Sequence, residues 1–282
     1  MTHFTPTYRT KETSRNIRIF IEDNMPIFWQ IMKPLMPFIV GLLFLDAVLD
    51  AFVLPQEGEH TPQSGIGSLL SSYFYTALVI DWHRVVIHGP ENFTPMNPLK
   101  PKKHELAFLG MGIVLGIGLF LIMIVAMLPG VFLGPVGIFL SVILALGSVF
   151  YFGYKFSFYF PAKAVDNAIT FRESFRLTKG YLWKLIATGI RASAKLWLLL
   201  LAYILVVFAV MASMAFITSG TGPLFHLVVF LIQLPMALYF QPLLTIIGVT
   251  ALSNYYMHAM QNKAEAHKEV STLSVHQINR HD

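Results

Sequence analysis

The sequence contains no cysteine and few charged residues. Without cysteine, the chain forms no disulfides, carries out no thiolate chemistry and holds no Cys-ligated metal. Charged residues make up 12% of the sequence, against about 25% in an ordinary soluble domain, whereas hydrophobic residues make up 55%. Because so little polar surface cannot cover a soluble globule, the composition indicates a membrane protein.

The sequence also lacks the marks of several other classes. Residues 1–26 are polar and basic without an early apolar core or a small-residue cleavage site, so we expect no secretory signal peptide. The net charge of +5 comes with no reading module or basic and aromatic platform, so we expect no nucleic-acid partner. No HExxH or comparable spacing occurs, and we expect neither a metal nor a cofactor.

Six apolar stretches are each long enough to span a bilayer as a helix. They cover about 31–54, 66–88, 105–128, 131–160, 182–217 and 223–258. The sequence therefore predicts an all-α fold: a polytopic membrane protein with six transmembrane helices in three outward hairpins, plus cytoplasmic interfacial amphipathic helices. The predicted domains are a basic, amphipathic N-terminal segment (1–30), a six-helix transmembrane domain (31–260) and a polar cytoplasmic tail (261–282).

Lysine and arginine are distributed unevenly over the connections between these stretches. The links 55–65, 129–134 and 218–222 contain neither residue, whereas the N-terminal segment, the other two links and the tail are basic. By the positive-inside rule, both termini are cytoplasmic. The basic excess of the chain then reflects its orientation in the membrane.

The segment FPAKAVDNAITFRESFRLTKGYLWKL (160–185) joins two apolar stretches and is strongly basic. Thr170 and Glu173 fit a capping box at a helix start, and Gly180 is a typical C-terminal stop. A basic face and an aromatic face predict an amphipathic helix at about 167–180, lying on the anionic lipid headgroups of the inner leaflet. The predicted headgroup contacts are Arg172, Arg176, Lys179, Trp183 and Lys184.

The same segment resembles a known family. Its small residues, Val-Asp, spaced Ser-Phe, Leu-Thr-Lys-Gly and Trp-Lys-Leu are similar to a pattern in bacterial six-span proteins related to the membrane domain of glycerophosphoryl diester phosphodiesterases. DWHRVVIHGP (81–90) resembles the end of the second span in uncharacterised proteobacterial inner-membrane proteins. The resemblance covers about residues 15–260 and implies a six-span domain in a bacterial inner membrane. It does not imply catalysis, which those phosphodiesterases carry out in a separate barrel domain.

Three ionisable residues form a candidate intramembrane site. Asp46 and Asp50 lie one turn apart in the outer half of the first span, and His226 lies near the outer start of the sixth. Ionisable groups inside a span are costly and are therefore functional candidates. These residues either line an ion or proton path or pack as polar groups at the mouth of the bundle.

A second candidate cluster lies at the inner end of the second span. Asp81, His83 and Arg84 could supply an acid–base pair or metal ligands, although His83 is expected to point away from the other two. The alternative is an Asp81–Arg84 ion pair at the inner interface, with Trp82 anchored in the headgroups. The Pro-rich link 91–105 that follows is predicted to be a solvated connector.

Three further features each leave two interpretations open. Gly112 and Gly116 either allow tight helix packing inside the bundle or form a hinge or dimer seam. The aromatic stretch 150–160 is either an interfacial belt or a lipid-binding pocket. Pro235 and Pro242 either kink the sixth span as a structural feature or break it to build a transporter site.

The favoured function is that of a non-enzymatic membrane protein acting as a scaffold, accessory subunit or lipid-associated regulator. Its expected partners are anionic membrane lipids and either another membrane protein or a second copy of the chain. The alternatives are a small transporter or channel, which would depend on Asp46 and Asp50, and a membrane enzyme acting on lipid. A regulator would be disrupted by charge reversal at Arg172 and Arg176, whereas a transporter would be disrupted by Asp→Asn changes.

Overall fold

The computed structural model describes residues 2–52, 66–167, 169–218 and 223–278. Within these ranges the chain is helical and has no β-strand, which confirms the all-α prediction for this part of the molecule. The helices are α1 (Thr10–Asp23), α2 (Met25–Phe52), α3 (Ile66–His88), α4 (Lys103–Phe132), α5 (Gly134–Phe156), α6 (Tyr159–Ala164), α7 (Phe171–Leu177), α8 (Leu182–Thr218), α9 (Pro223–Pro235) and α10 (Gln241–Ile278). A π-helical turn, Met236–Phe240, joins α9 to α10.

Five stretches of the described chain are long and apolar enough to cross a membrane. They are Met25–Leu49, Glu105–Gly130, Gly134–Ala164, Leu182–Met214 and Leu224–Glu265. These stretches correspond to five of the six predicted spans. The remaining predicted span is α3, whose apolar character is reduced by polar residues such as Ser71, Asp81 and Arg84.

α3 packs against α2, α10, α6 and α4. Its side chains Leu78, Ile80 and Trp82 are completely buried among these helices. Because neighbouring helices cover α3, it can carry polar side chains that would be costly on a lipid-facing helix. Its lower hydropathy is therefore consistent with a central position.

The N-terminal segment and α1 close one end of this packed region. The Asn254 side chain of α10 exchanges two hydrogen bonds with the backbone of Thr7, of 2.8 and 2.9 Å. The predicted amphipathic character of α1 is present, with Ile17 and Phe20 buried on one side. That apolar side packs against α8 and α10 and is therefore covered by protein.

α4 and α5 are separated only by Leu133 and fold back on each other. They approach closely near the turn, where a Cβ added at Gly137 would lie 2.5 Å from the carbonyl oxygen of Pro129. Gly112 and Gly116, in contrast, have nothing within 4 Å of an added Cβ. The predicted tight packing through these two glycines inside the bundle is therefore wrong, because both face open space in the described structure.

The amphipathic helix predicted at 167–180 is present as the shorter helix α7. Its N-cap is Thr170, whose hydroxyl accepts a hydrogen bond from the backbone N–H of Glu173 at 3.2 Å, as the capping motif predicts. Gly180 has φ of +88°, a conformation that glycine adopts without strain, and the chain turns there into α8. Both ends of the helix thus follow from local sequence signals.

The aromatic face of α7 packs partly on protein, with Phe175 38% exposed. The rings of Phe171 and Phe175 lie 5.3 and 6.4 Å from the ring of Phe156 in α5. Phe171 also stacks on Tyr159 at 4.7 Å. Part of the aromatic stretch 150–160 therefore packs against α7. The sequence predicted only an interfacial belt or a lipid-binding pocket for this stretch.

The sixth predicted span is interrupted at Pro235, which ends α9, and a π-helical turn follows. Tyrosine hydroxyls from two other helices bond carbonyl groups at this break. Tyr75 donates to Ala237 O at 2.6 Å, and Tyr203 donates to Ile232 O. These two hydrogen bonds satisfy carbonyl groups at the irregular backbone, which is typical of a structural kink.

The polar tail predicted at 261–282 is helical as far as Ile278, because α10 continues into it. Lys263 in this extension forms an ion pair with Glu173 of α7. Asn262 donates a hydrogen bond of 3.4 Å to the hydroxyl of Tyr181. Residues 279–282, together with the predicted link 55–65 and residues 219–222, lie outside the described residues.

Candidate functional site

A groove with a volume of about 980 Å³ lies between α3, α4 and α10. The α3 wall runs from Ser72 to His83, a length of about 16 Å at 1.5 Å per residue. Most of its lining is apolar, contributed by residues such as Phe160 and Leu252 at the His83 end and Leu244 at the other end. The size and lining are those of a small-molecule or lipid site.

The groove has a buried floor and an exposed rim. Phe108 of α4 and Val249 of α10 form part of the floor and are buried. Leu106 and Ile113 of α4 lie on the rim and are more than half exposed. Gly248 of α10 lines the groove with nothing within 4 Å of an added Cβ, so this glycine leaves the cavity open.

His83 is a polar group in the floor of the groove. The side chain is 1% exposed, and its Nδ1 lies 2.7 Å from the hydroxyl of Ser253 in α10. As the sequence suggested, His83 points away from Asp81 and Arg84. The three residues lie close together in the sequence, but in the structure His83 lines the groove while Asp81 and Arg84 belong to a separate ion-pair network.

That network is built around Arg84. Its Nη1 donates to Glu105 Oε1 at 3.0 Å and lies 3.6 Å from Asp81 Oδ1, and its Nε donates to Ala164 O at 3.0 Å. Both carboxylate oxygens of Asp81 also accept from the backbone N–H of Met96, at 3.1 and 2.9 Å. Asp81 and Glu105 are almost fully buried. The predicted Asp81–Arg84 pair is therefore present, within a network that joins α3, α4 and α6.

One expectation about this region is wrong. Trp82 does not anchor in the headgroups, because it is fully buried and donates from Nε1 to Thr250 Oγ1 of α10 at 2.8 Å. The link before α4 is mostly exposed, as a solvated connector would be, but it is tied to α3 at two points: Met96 is buried against Asp81, and Pro98 O accepts a hydrogen bond from Tyr73. The sequence could not show either fact, because both depend on which helices pack together.

Of the two predicted intramembrane acids, only Asp46 has a described side chain, and it contacts the start of α3. Asp46 is buried and accepts a hydrogen bond of 2.8 Å from the backbone N–H of Gly67, in the first turn of α3. A carboxylate at this place stabilises the exposed N–H groups and positive end of a helix. His226 is half-buried in α9, with its ring 5.8 Å from that of Phe225. Asp50 lies in α2, and its side chain is outside the described residues.

Substitutions at Asp46 distinguish a helix cap from an ion path. We expect Asp46→Ala to lower the free energy of unfolding by about 0.5–2 kcal/mol, the usual cost of losing a cap. Asp46→Asn should retain most of that stability, because the amide oxygen still accepts from Gly67. Unfolding in mixed micelles at increasing SDS measures both values. Equal losses in the two variants would show that the negative charge, and not the cap, is what matters.

The predicted headgroup contacts differ in their surroundings. Four of them are exposed: Arg172, Arg176, Lys179 and Trp183. The fifth, Lys184, is half-buried with Nζ over the ring of Tyr8, 2.7 Å from its centroid. Lys184 thus contacts the N-terminal segment, while the exposed four remain available to headgroups.

α7 is also held to α10 by charge. A hydrogen bond from Lys263 lowers the pKa of Glu173 below its ordinary value, and the nearby charges of Lys263 and Arg176 act in the same direction. A lowered pKa keeps this carboxylate ionised at neutral pH, so the tie to Lys263 is present there and weakens as the pH falls towards that pKa. The basic surface of α7 is therefore fixed in orientation relative to α10.

Several residues of the groove and the network were missed from the sequence. Ser253, Glu105 and Thr76 are ordinary polar residues at helix ends or within spans, and no spacing distinguishes them. Only Gly248 could have been singled out from the sequence, because an isolated glycine in an apolar helix often has a packing or functional reason. The pairing of α3 with α10, which creates the groove, cannot be read from either helix alone.

No known protein family, characterised protein or solved structure matches the chain. What the groove binds is therefore inferred from its own chemistry.

Proposed function

We propose that the chain is a non-enzymatic integral membrane protein that holds one phospholipid in the groove between α3, α4 and α10, and that acts as a lipid-associated regulator or accessory subunit. The observation that carries this proposal is the groove itself: about 980 Å³, mainly apolar, with an exposed rim and a buried histidine in its floor. Both α4 and α10 contribute stretches apolar enough to cross a membrane, so the rim is a surface that lipid covers.

Charge complementarity favours a phospholipid as the occupant. α4 begins at Lys103, three residues and about 5 Å along the helix from the groove residue Leu106. Lys102 and Lys103 are exposed there, just beyond the His83 end of the groove. A phospholipid with an acyl chain in the groove would therefore place its phosphate near two cations, as basic pockets between membrane helices provide for anionic lipids.

The proposed topology has six spans, with α3 as the second and both termini in the cytoplasm of a bacterial cell, in the inner membrane. The charge asymmetry of the links supports this orientation. It is also supported by the contacts at one end of the bundle, where Thr7 meets Asn254 and Arg84 meets Ala164. The proposed relationship to the six-span family related to phosphodiesterase membrane domains rests on the motifs at 160–185 and 81–90.

The geometry gives less support to transport. Asp46 is engaged with the first turn of α3, and carbonyl groups at the break in the sixth predicted span are bonded by Tyr75 and Tyr203. A transporter site built on a broken helix needs such groups to face a substrate or ion. Catalysis on lipid would use Ser253 as the nucleophile and His83 as its base, with a third group to orient the imidazole, whereas Ser253 is the only hydrogen-bond partner of His83 among the described residues.

Filling the groove tests the proposal. We expect Gly248→Leu to reduce the phospholipid that co-purifies per protein at least about threefold, because its side chain would occupy the open space in the groove wall. Native mass spectrometry of the gently solubilised protein measures this ratio. Gly112→Leu, from the opposite wall, should have the same effect.

The matched control is Gly116→Leu. Gly116 lies one turn from Gly112 on α4, is exposed and does not line the groove. This variant should keep the wild-type amount of lipid. If Gly248→Leu and Gly112→Leu are folded and retain as much lipid as Gly116→Leu, the groove is not the lipid site.

A further inference from the structure

The hydrogen bond between His83 and Ser253 determines which nitrogen of His83 is free. Ser253 Oγ has no other hydrogen-bond partner in the described part of the chain, so its proton is best placed by donating to Nδ1 of His83. A neutral imidazole that accepts at Nδ1 carries its proton on Nε2. His83 Nε2 has no protein partner among the described residues, and the side chain is 1% exposed in the groove floor. The groove therefore contains a neutral N–H donor.

The position of His83 along α3 indicates what this donor meets. His83 lies five residues before His88, where α3 ends, a distance of about 7.5 Å along the axis. Each interfacial layer of a bilayer is roughly 5–8 Å thick, because a hydrocarbon core of about 30 Å lies within a total of about 40–45 Å. With the His88 end at the inner surface, His83 reaches the boundary between headgroups and hydrocarbon. The ester carbonyl groups of glycerolipids lie at this boundary.

We propose that His83 Nε2–H donates a hydrogen bond to an ester carbonyl oxygen of a glycerophospholipid bound in the groove, and so selects ester-linked lipid. This inference rests on the proposed function. A lipid carbonyl has lone pairs and no proton, so it matches a neutral donor, and the bond would give this N–H a partner that the described residues do not supply. His83 then fixes the depth of the lipid, while the apolar walls hold its chain.

Ester and ether phospholipids with the same headgroup and chains provide the test, because ether lipids lack the carbonyl oxygen. The delipidated wild-type protein should bind the ester lipid about 2- to 10-fold more tightly, the range expected for one neutral hydrogen bond. Titration of each lipid into detergent micelles, followed by native mass spectrometry, gives the two affinities. Equal affinities for both lipids would overturn the role of the donor and leave the lipid site itself standing.

Variants assign the preference to His83. His83→Phe should bind both lipids with equal affinity, whereas His83→Gln, whose amide nitrogen lies close to the position of Nε2, should keep part of the ester preference. Gly248→Leu should bind both lipids at least about threefold more weakly, which would separate loss of the groove from loss of the donor. If His83→Phe is folded and still prefers the ester lipid, another group recognises the carbonyl. Failure of the wild-type protein to bind either lipid would overturn the proposed function as well.

Discussion

Replacing Arg84 with methionine is expected to lower the free energy of unfolding by about 3–5 kcal/mol, the usual cost of removing one partner from a buried ion pair. Methionine has a similar length and can fill the same volume, so packing is largely preserved. The loss therefore arises from the charges left behind. Asp81 and Glu105 are 1% and 2% exposed, and without the guanidinium both buried carboxylates lose the ion pair that Arg84 forms with them.

The effect should extend beyond one contact, because Arg84 joins three parts of the chain. Its Nη1 bonds Glu105 of α4, and its Nε bonds Ala164 O at the end of α6. Glu105 in turn accepts from the backbone N–H of Lys102 at 2.7 Å, which fixes the start of α4. Loss of the guanidinium should therefore loosen the link before α4 and the contact between α3 and α6.

Unfolding of the purified variants in mixed micelles at increasing SDS measures these differences. Arg84→Lys should be intermediate, since an ammonium keeps the charge but cannot reproduce the forked geometry of two hydrogen bonds and an ion pair. Adding Glu105→Gln to Arg84→Met should recover part of the loss, because one buried charge is then removed. Arg176→Met, on the exposed side of α7, is the control and should change stability little. An Arg84→Met variant as stable as this control would contradict the role assigned to the network.

The sequence predicted those features that depend on local patterns. The all-α class and five of the predicted spans follow from long apolar runs, and α7 follows from a cap at Thr170 and a stop at Gly180. The pair between Asp81 and Arg84 follows from their spacing of three residues on one helix. Each of these signals lies within a few residues or one continuous stretch, so no knowledge of the tertiary structure was needed.

The groove could not be predicted, because it depends on contacts between distant segments. Trp82 fits an interfacial anchor by sequence, but α10 supplies Thr250 and buries it. The sequence places His83 on a different face of the helix from Asp81, but it does not show that Ser253 of α10 bonds His83 in the groove. The polar residues of α3 are likewise explained by packing, since a helix covered by others does not need an apolar surface. The sequence contains the candidate residues, whereas helix packing decides which of them share a site.

Gly67→Ala is the second substitution with a large expected effect, and it tests how α2 meets α3. A Cβ at this position would overlap the backbone carbonyl oxygen of Leu42 and lie 2.8 Å from Asp46 Oδ2. A backbone oxygen cannot move aside as a flexible side chain can, so the two helices would have to separate. We expect a loss of about 1–3 kcal/mol, typical of overpacking, measured by the same SDS titration.

Alanine at Gly112 and Gly116 provides the matched comparison, since these are the glycines that their four-residue spacing marks as packing positions. Neither has an atom within 4 Å of the added Cβ in the described structure, so no clash arises. Alanine also favours the helix over glycine by up to about 1 kcal/mol, so both variants should be neutral or slightly more stable than the wild type. The alanine variants should instead be less stable than the wild type if α4 packs through Gly112 and Gly116 in the membrane, for example against a second copy of the chain. In that case Gly116→Ala would destabilise the protein, and the exposed face of α4 would be an interface.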